Sequence, residues 1–192
     1  MPKIFVISGG PGVGKTSVVN ELEKRSFKIL KEAARELTQR DKRFNGKSIL
    51  EINKKDFQDA IFDFQIKQIK ELENKELEKS ERKNNRKNKK KKIIFSDRGL
   101  GDTFVYYELA GYKVPKDKLK YAKKFRYEKI FVLDFLDFYE KDNLRKETIK
   151  EAEKIHNEII KMYKKIGYNS NIITVPFMSV EKRVYFILNK IS

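Results

Sequence analysis

Short apolar runs alternate along the chain with longer stretches in which apolar residues recur every three or four positions. The short runs are rich in isoleucine, valine and phenylalanine and end at polar residues or proline, which is typical of strands buried on both faces of a parallel sheet. Five such runs predict strands at residues 3–8, 27–30, 93–97, 130–135 and 172–175.

The stretches between the strands have the periodicity of amphipathic helices. The longest covers residues 53–79, with Phe57, Ile61 and Phe64 on one face, and its rear half is highly charged. The polar residues 40–48 before it predict a loop. Further helices are predicted at residues 18–24, 31–37, 100–110, 116–126, 148–166 and, after a capping Ser179, 180–191.

Residues 9–16 (GGPGVGKT) follow the first strand and match the pattern G-x-x-x-x-G-K-[ST] throughout. The glycines let successive backbone N–H groups point at an anion, and the positive end of the following helix adds to that field. A lysine ammonium can then reach the β- and γ-phosphates, and a threonine hydroxyl can bind Mg²⁺. The alternative is a glycine-rich turn that binds nothing. The predicted ATP-binding residues are Gly9, Gly10, Pro11, Gly12, Val13, Gly14, Lys15, Thr16 and Ser17.

Alternating strands and helices predict an α/β fold with a parallel sheet, right-handed crossovers and helices on both faces. With a phosphate loop after the first strand, the expected architecture is a three-layer P-loop NTPase fold with strand order 2-3-1-4-5. We expect residues 1–192 to form a single domain of this kind, with a lysine-rich insert at residues 81–92.

Charged residues also follow the second and third predicted strands. Glu32 comes just after strand 2, and Asp97 ends strand 3 and is followed by Arg98. Ligands of open α/β sheets collect at the carboxyl ends of strands, and a carboxylate at that place can hold Mg²⁺ directly or through water. Two simpler explanations remain open: Glu32 pairs with a helix neighbour such as Arg35, or Arg98 pairs with Asp102 four residues later.

The composition limits the classes of function. The chain has no cysteine, which excludes disulfides and thiolate sites, and its single histidine argues against a histidine-based metal centre. No apolar run is long enough to cross a bilayer and no secretion signal precedes the first strand, so we expect a cytoplasmic protein.

The formal net charge of +17 favours polyanionic partners, although a biased codon usage or heat adaptation would also enrich lysine. The insert at residues 81–92 (ERKNNRKNKKKK) is either a solvated linker or, through residues 82–92, a contact for nucleic acid or anionic lipid.

The ordered set GGPGVGKT, KEAAREL, SDRGLGDT, FYEKDNLRKE and VPFMSVEKRVYFIL resembles the small P-loop AAA-domain family of predicted ATPases that includes the ribosylnicotinamide kinase half of NadR-type proteins. The resemblance covers nearly all of the chain apart from the insert. It implies a protein closer to nucleoside and nucleotide kinases than to ring-forming AAA machines.

The resemblance also implies roles for individual residues. Glu32 would accept the proton of an acceptor hydroxyl, Asp97 would lie near Mg²⁺, and Arg98 would span base and phosphates. Lys141 and Arg145 would lie in a lid that closes on the triphosphate, and Arg145 is its only arginine, where the kinases have several.

Two functions follow from these observations. The first is an ATP-dependent kinase acting on a small nucleoside-like or nucleotide-like hydroxyl. The second is a slow ATPase or GTPase whose basic surface binds nucleic acid or anionic lipid.

Three side chains outside these motifs carry further predictions. Gln58 and Gln65 either read a base or face solvent. Phe177 is expected in the core, with contact to an adenine as the alternative. His156 is expected to take no part in the site.

Overall fold

The five strands form one parallel sheet in a computed structural model that describes residues 2–47, 52–82, 92–135 and 149–191. The order across the sheet is β2-β3-β1-β4-β5, which confirms the predicted fold class. Lys141, Arg145 and residues 83–91 of the insert lie outside the described residues. The strands are β1 (Lys3–Ser8), β2 (Lys28–Leu30), β3 (Ile93–Asp97), β4 (Lys129–Leu133) and β5 (Ile172–Val175).

Seven helices are described, each within a few residues of its prediction. The first begins earlier than expected, directly after the glycines of the phosphate loop, and Ser179 caps the last by accepting the Lys182 N–H at 3.4 Å. In the described ranges no helix is both long and apolar enough to cross a bilayer. The helices are α1 (Lys15–Lys24), α2 (Ala33–Arg40), α3 (Lys54–Arg82), α4 (Leu100–Leu109), α5 (Lys116–Lys124), α6 (Ile149–Lys165) and α7 (Val180–Asn189).

The described core has two layers on opposite faces of the sheet and a third, smaller cluster between α2 and α3. Ile4 and Val6 of β1 pack with α3, α4 and α6, whereas Phe5 and Ile7 pack with α1 and α7. Successive side chains of a strand point to opposite faces, so a strand covered on both sides must be apolar at nearly every position. This explains the continuous apolar runs in the sequence.

The parallel strands give the sheet two different edges. We call the edge where strands end the carboxyl edge; the phosphate loop, Glu32, Asp97 and Arg98 follow their strands there. We call the opposite edge, where strands begin, the amino edge. Lys28, Lys92, Lys3 and Lys129 stand at or just before the starts of the neighbouring strands β2, β3, β1 and β4.

Candidate active site

The phosphate loop connects β1 to α1 and ends at Gly14, which has φ +84° and is the N-cap of α1. An L-residue with a Cβ is strained in that left-handed conformation, which explains the glycine. The first turn of α1 contains no acidic residue. The free N–H groups and the positive end of the helix dipole are therefore not neutralised from within the helix, as anion binding requires.

Lys15 lies inside the loop with 8% of its surface exposed. Its Nζ donates to the carbonyl oxygens of Gly9 at 2.8 Å and Gly10 at 2.6 Å. Burial, and then the charge of Arg98, lower the pKa of Lys15 to about 7, against the opposing effect of nearby carboxylates. A bound polyphosphate would favour the charged ammonium, so anion binding and protonation of Lys15 are linked.

His156 supports the same loop, contrary to the expectation that it takes no part. Its Nδ1 accepts the Gly10 N–H at 3.3 Å, and its ring lies 4.9 Å from that of Phe135. Gly10 fits closely below α6, since an added Cβ would lie 2.7 Å from the Ala152 carbonyl oxygen. The signal was present in the sequence, because His156 falls on the apolar stripe that Ala152 and Ile159 mark on α6.

Glu32 and Arg98, predicted separately, are in contact. Arg98 Nε donates to Glu32 Oε1 at 2.8 Å, and the two side chains are 19% and 21% exposed. Glu32 therefore pairs across the carboxyl edge rather than with Arg35. Arg98 also lies 3.8 Å from Asp102 Oδ1, as its spacing allowed, and its guanidinium lies 5.5 Å from the ring centre of Tyr106.

Asp97 is the last residue of β3 and lies beside Ile7 in the β1–β3 register. Burial and then the charge of Glu32 raise its pKa to about 6, although Arg98 and Lys15 act in the opposite direction. A divalent cation would relieve that penalty, so the carboxylate suits Mg²⁺.

The Mg²⁺ ligands would be the Asp97 carboxylate and the Thr16 hydroxyl in the first turn of α1. Within the described ranges no group of three or more His, Asp or Glu side chains could hold a metal ion. Mg²⁺ bound beside a nucleotide commonly takes some of its ligands from phosphate oxygens.

Asp102 connects three elements around the site through hydrogen bonds. It is 1% exposed and accepts hydrogen bonds from Ser8 Oγ at 2.7 Å, Gly99 N at 3.0 Å and Tyr163 Oη at 2.6 Å. One carboxylate thus joins the end of β1, the turn after β3 and helix α6. The sequence indicated only its pairing with Arg98.

A cavity of about 580 Å³ opens beside Glu32 and Arg98. Gln58 and Gln65 both line it, together with apolar side chains such as Phe57. Gln65 Oε1 accepts the Thr103 hydroxyl at 2.8 Å, whereas the buried Gln58 Oε1 has no hydrogen-bond partner among the residues that the structure describes. The cavity therefore offers an apolar wall, a free acceptor and a carboxylate.

Another cavity, of about 590 Å³, lies between the turn after α2 and the front of α3. Its acidic lining includes Asp41, Asp56 and Asp63, and it contains none of the predicted site residues.

Phe177 is 43% exposed, so the prediction that it is buried in the core was wrong. It follows Pro176, beyond the last core residue of β5, and packs on Arg183, whose guanidinium lies 5.4 Å from the ring centre. Sequence reasoning missed Arg183, which is 2% exposed and reaches the phosphate loop.

The sequence profile of an AAA-domain family matches residues 4–183. The chain belongs to this AAA-domain family. The resemblance drawn from the motifs is thereby confirmed. A search of curated proteins found no match.

Solved structures with the same fold include kinases. A NadR protein in complex with NR has a TM-score of 0.64 at 18% identity over 99% of this chain and 50% of its own. Thymidylate kinase from Ehrlichia chaffeensis has a TM-score of 0.58 at 12% identity over 100% of this chain and 99% of its own. Shikimate kinase from Aquifex aeolicus has a TM-score of 0.52 at 19% identity over 98% of this chain and 95% of its own.

The chain spans about half the length of the NadR protein. At these identities the likeness establishes the fold, which is that of a P-loop kinase-like domain.

Proposed function

We propose that this protein is a kinase that transfers the γ-phosphoryl group of ATP to a hydroxyl of a small nucleoside-like or nucleotide-like acceptor. The contact between Glu32 and Arg98 carries the proposal, because both side chains line the cavity and both are close enough to Lys15 of the phosphate loop to affect its pKa. A phosphoryl acceptor needs a base on one side and positive charge on the other. The resemblance to a kinase family supports the same reading, and a cytoplasmic location remains an expectation.

In this mechanism the protein supplies positioning and charge. The loop amides and Lys15 bind the β- and γ-phosphates, and Arg98 neutralises charge on the transferred group. The acceptor lies in the cavity with its hydroxyl within hydrogen-bond reach of Glu32, which takes the proton as the new P–O bond forms. Mg²⁺, held by Thr16 and Asp97, would supply further charge neutralisation. Arg145 keeps its predicted role in closing on the triphosphate.

The test is a screen of nucleosides, nucleotides and vitamins for compounds that stimulate ATP consumption. With such an acceptor, Glu32→Gln is expected to lower kcat by about 100-fold or more while ATP affinity stays within about twofold. Glu36→Gln on the same helix is the matched control and should keep wild-type turnover. Turnover by Glu32→Gln at the wild-type rate would refute the role of Glu32 as base.

The amino edge favours a second candidate function, a nucleotide-controlled module that binds a polyanion. Lys28, Lys92, Lys3 and Lys129 mark four neighbouring strands, which lie about 4.8 Å apart in a sheet. Glu128 precedes Lys129 in the sequence and is exposed. A row of like charges attracts phosphate-rich surfaces, and the net charge of +17 adds to that attraction.

This candidate is tested by the salt dependence of binding to single-stranded RNA, duplex DNA and vesicles containing phosphatidylserine. Replacing Lys3, Lys92 and Lys129 by glutamine should reduce the slope of log affinity against log salt by about two to three for nucleic acid. Replacing the exposed Lys116, Lys154 and Lys182 serves as the control with equal charge change. Equal losses in the two triple variants would mean that net charge, rather than the amino edge, is responsible.

A further inference from the structure

Arg183 is a buried arginine in the first turn of α7. It connects this helix to the phosphate loop and to the end of β4. Its Nη1 donates to the Val13 carbonyl oxygen at 2.6 Å, and its Nη2 donates to the Asp134 carbonyl oxygen at 3.2 Å. Its Nε is buried and has no hydrogen-bond partner in the described part of the chain. Burial lowers the pKa of Arg183, so the guanidinium is held there at an energetic cost.

Val13 belongs to the phosphate loop, and its carbonyl shares a peptide unit with the Gly14 N–H. A trans peptide is planar, so the C=O and the N–H of one unit point in opposite directions. Holding the Val13 oxygen against Arg183 therefore directs the Gly14 N–H to the other side of the loop. Among the described residues, no hydrogen bond from that N–H to another protein group is present.

Gly14 is one of three glycines with positive φ in the phosphate loop. Its φ of +84° lies in a region that glycine enters freely, so the residue itself does little to fix the peptide before it. The fit to the arginine is close, because a Cβ on Gly14 would lie 3.3 Å from Arg183 Nη1. The restraint on this peptide therefore comes from α7, which lies far along the chain, and not from the loop sequence.

We propose that Arg183 is a positioning residue for the phosphate loop, which holds the Val13 carbonyl so that the Gly14 N–H faces the polyphosphate before nucleotide binds. The Asp134 contact fixes the guanidinium relative to the end of β4, so Arg183 also fixes the position of the loop relative to the sheet. This inference rests on the proposed binding of ATP.

The experiment measures binding of ATP, ADP and AMP by calorimetry to the full chain and to Arg183→Ala, Arg183→Lys and the neighbouring surface variant Lys182→Ala. In Arg183→Ala, affinity for ATP and ADP should fall about tenfold or more, because the Gly14 N–H is no longer held in position to donate to a charged phosphate. Arg183→Lys should lie between, since one ammonium cannot bridge both carbonyls. Lys182→Ala should bind as the wild type does.

Two readouts separate positioning from loss of stability. Millimolar guanidinium should restore ATP affinity to Arg183→Ala, and the amide resonance of Gly14 should move in the free variant and return with guanidinium. Arg183→Lys gives the same amide readout if Arg183→Ala does not fold.

Wild-type ATP affinity in folded Arg183→Ala would overturn the inference, as would a loss without rescue and without change at the Gly14 amide. A wild-type protein that binds no ATP would instead refute the proposed function.

Discussion

The two edges of the sheet both carry lysines, but they differ in how far those lysines are removed from water. At the carboxyl edge Lys15 is buried against two carbonyl oxygens, and Arg98 is paired with Glu32. At the amino edge Lys3 and Lys129 are only half-buried at the starts of their strands. Charges interact strongly where the effective dielectric constant is low and weakly where water and salt screen them. Net charge therefore does not locate the site, whereas desolvated charge does.

Lysine-to-methionine substitutions at the two edges make the sharpest comparison. Lys15→Met is expected to reduce ATP affinity by about 100-fold, because it removes a charged donor from a buried anion site. Lys129→Met removes the same charge from the amino edge and should leave ATP affinity within about twofold. Calorimetric titration of both variants measures the difference.

The melting temperature provides the control for that pair. Burial disfavours the charged form of Lys15, whose pKa is lowered to about 7, so Lys15→Met should lose nucleotide without a large fall in the melting temperature. A Lys15→Met protein that binds ATP as tightly as the wild type would remove the distinction between the two edges.

Much of the fold could be predicted from local patterns, because the spacing of apolar residues within a strand or helix indicates its type and its buried face. The loop GGPGVGKT is also local, so its place between β1 and α1 followed directly from the sequence. The strand order 2-3-1-4-5 followed from that loop and is confirmed.

The interior of the site was not accessible, because its contacts join distant residues. Arg98 lies 66 residues from Glu32, His156 lies 146 from Gly10, and Arg183 lies 170 from Val13. Helical spacing suggested Arg35 as the partner of Glu32, because such spacing relates only residues that are three or four positions apart. Phe177 was misjudged for a similar reason: an aromatic residue after a strand gives no sign that the covering helix layer has ended.

Asp102 and Asp117 give a second contrast, between a buried carboxylate and an exposed one. Asp102→Asn should lower the free energy of unfolding by about 2 to 4 kcal/mol, because an amide N–H₂ would face donors from Ser8, Gly99 or Tyr163. Asp117→Asn on α5 should change it by less than about 0.5 kcal/mol. Urea denaturation measures both values, and equal effects would contradict the bridging role of Asp102.

The pH dependence of binding gives the smallest effect. With a pKa of about 7 in the free protein, Lys15 is about one-tenth charged at pH 8 and half charged at pH 7. Bound polyphosphate raises that pKa, so metal-free ATP should take up close to one proton at pH 8 and about half a proton at pH 7. Affinity should accordingly fall by up to about tenfold per pH unit above pH 7.

Calorimetry in buffers of different ionisation enthalpy counts these protons. Bound polyphosphate would also raise the pKa of Asp97, which is about 6 in the free protein, so Asp97 contributes mainly at pH 7 and the uptake at pH 8 is the measure of Lys15. Lys129→Met should show the wild-type uptake, because the amino edge is remote from the phosphates. Uptake near zero at both pH values would mean that Lys15 is already charged in the free protein. Its protonation state would then not differ from that of the lysines at the amino edge.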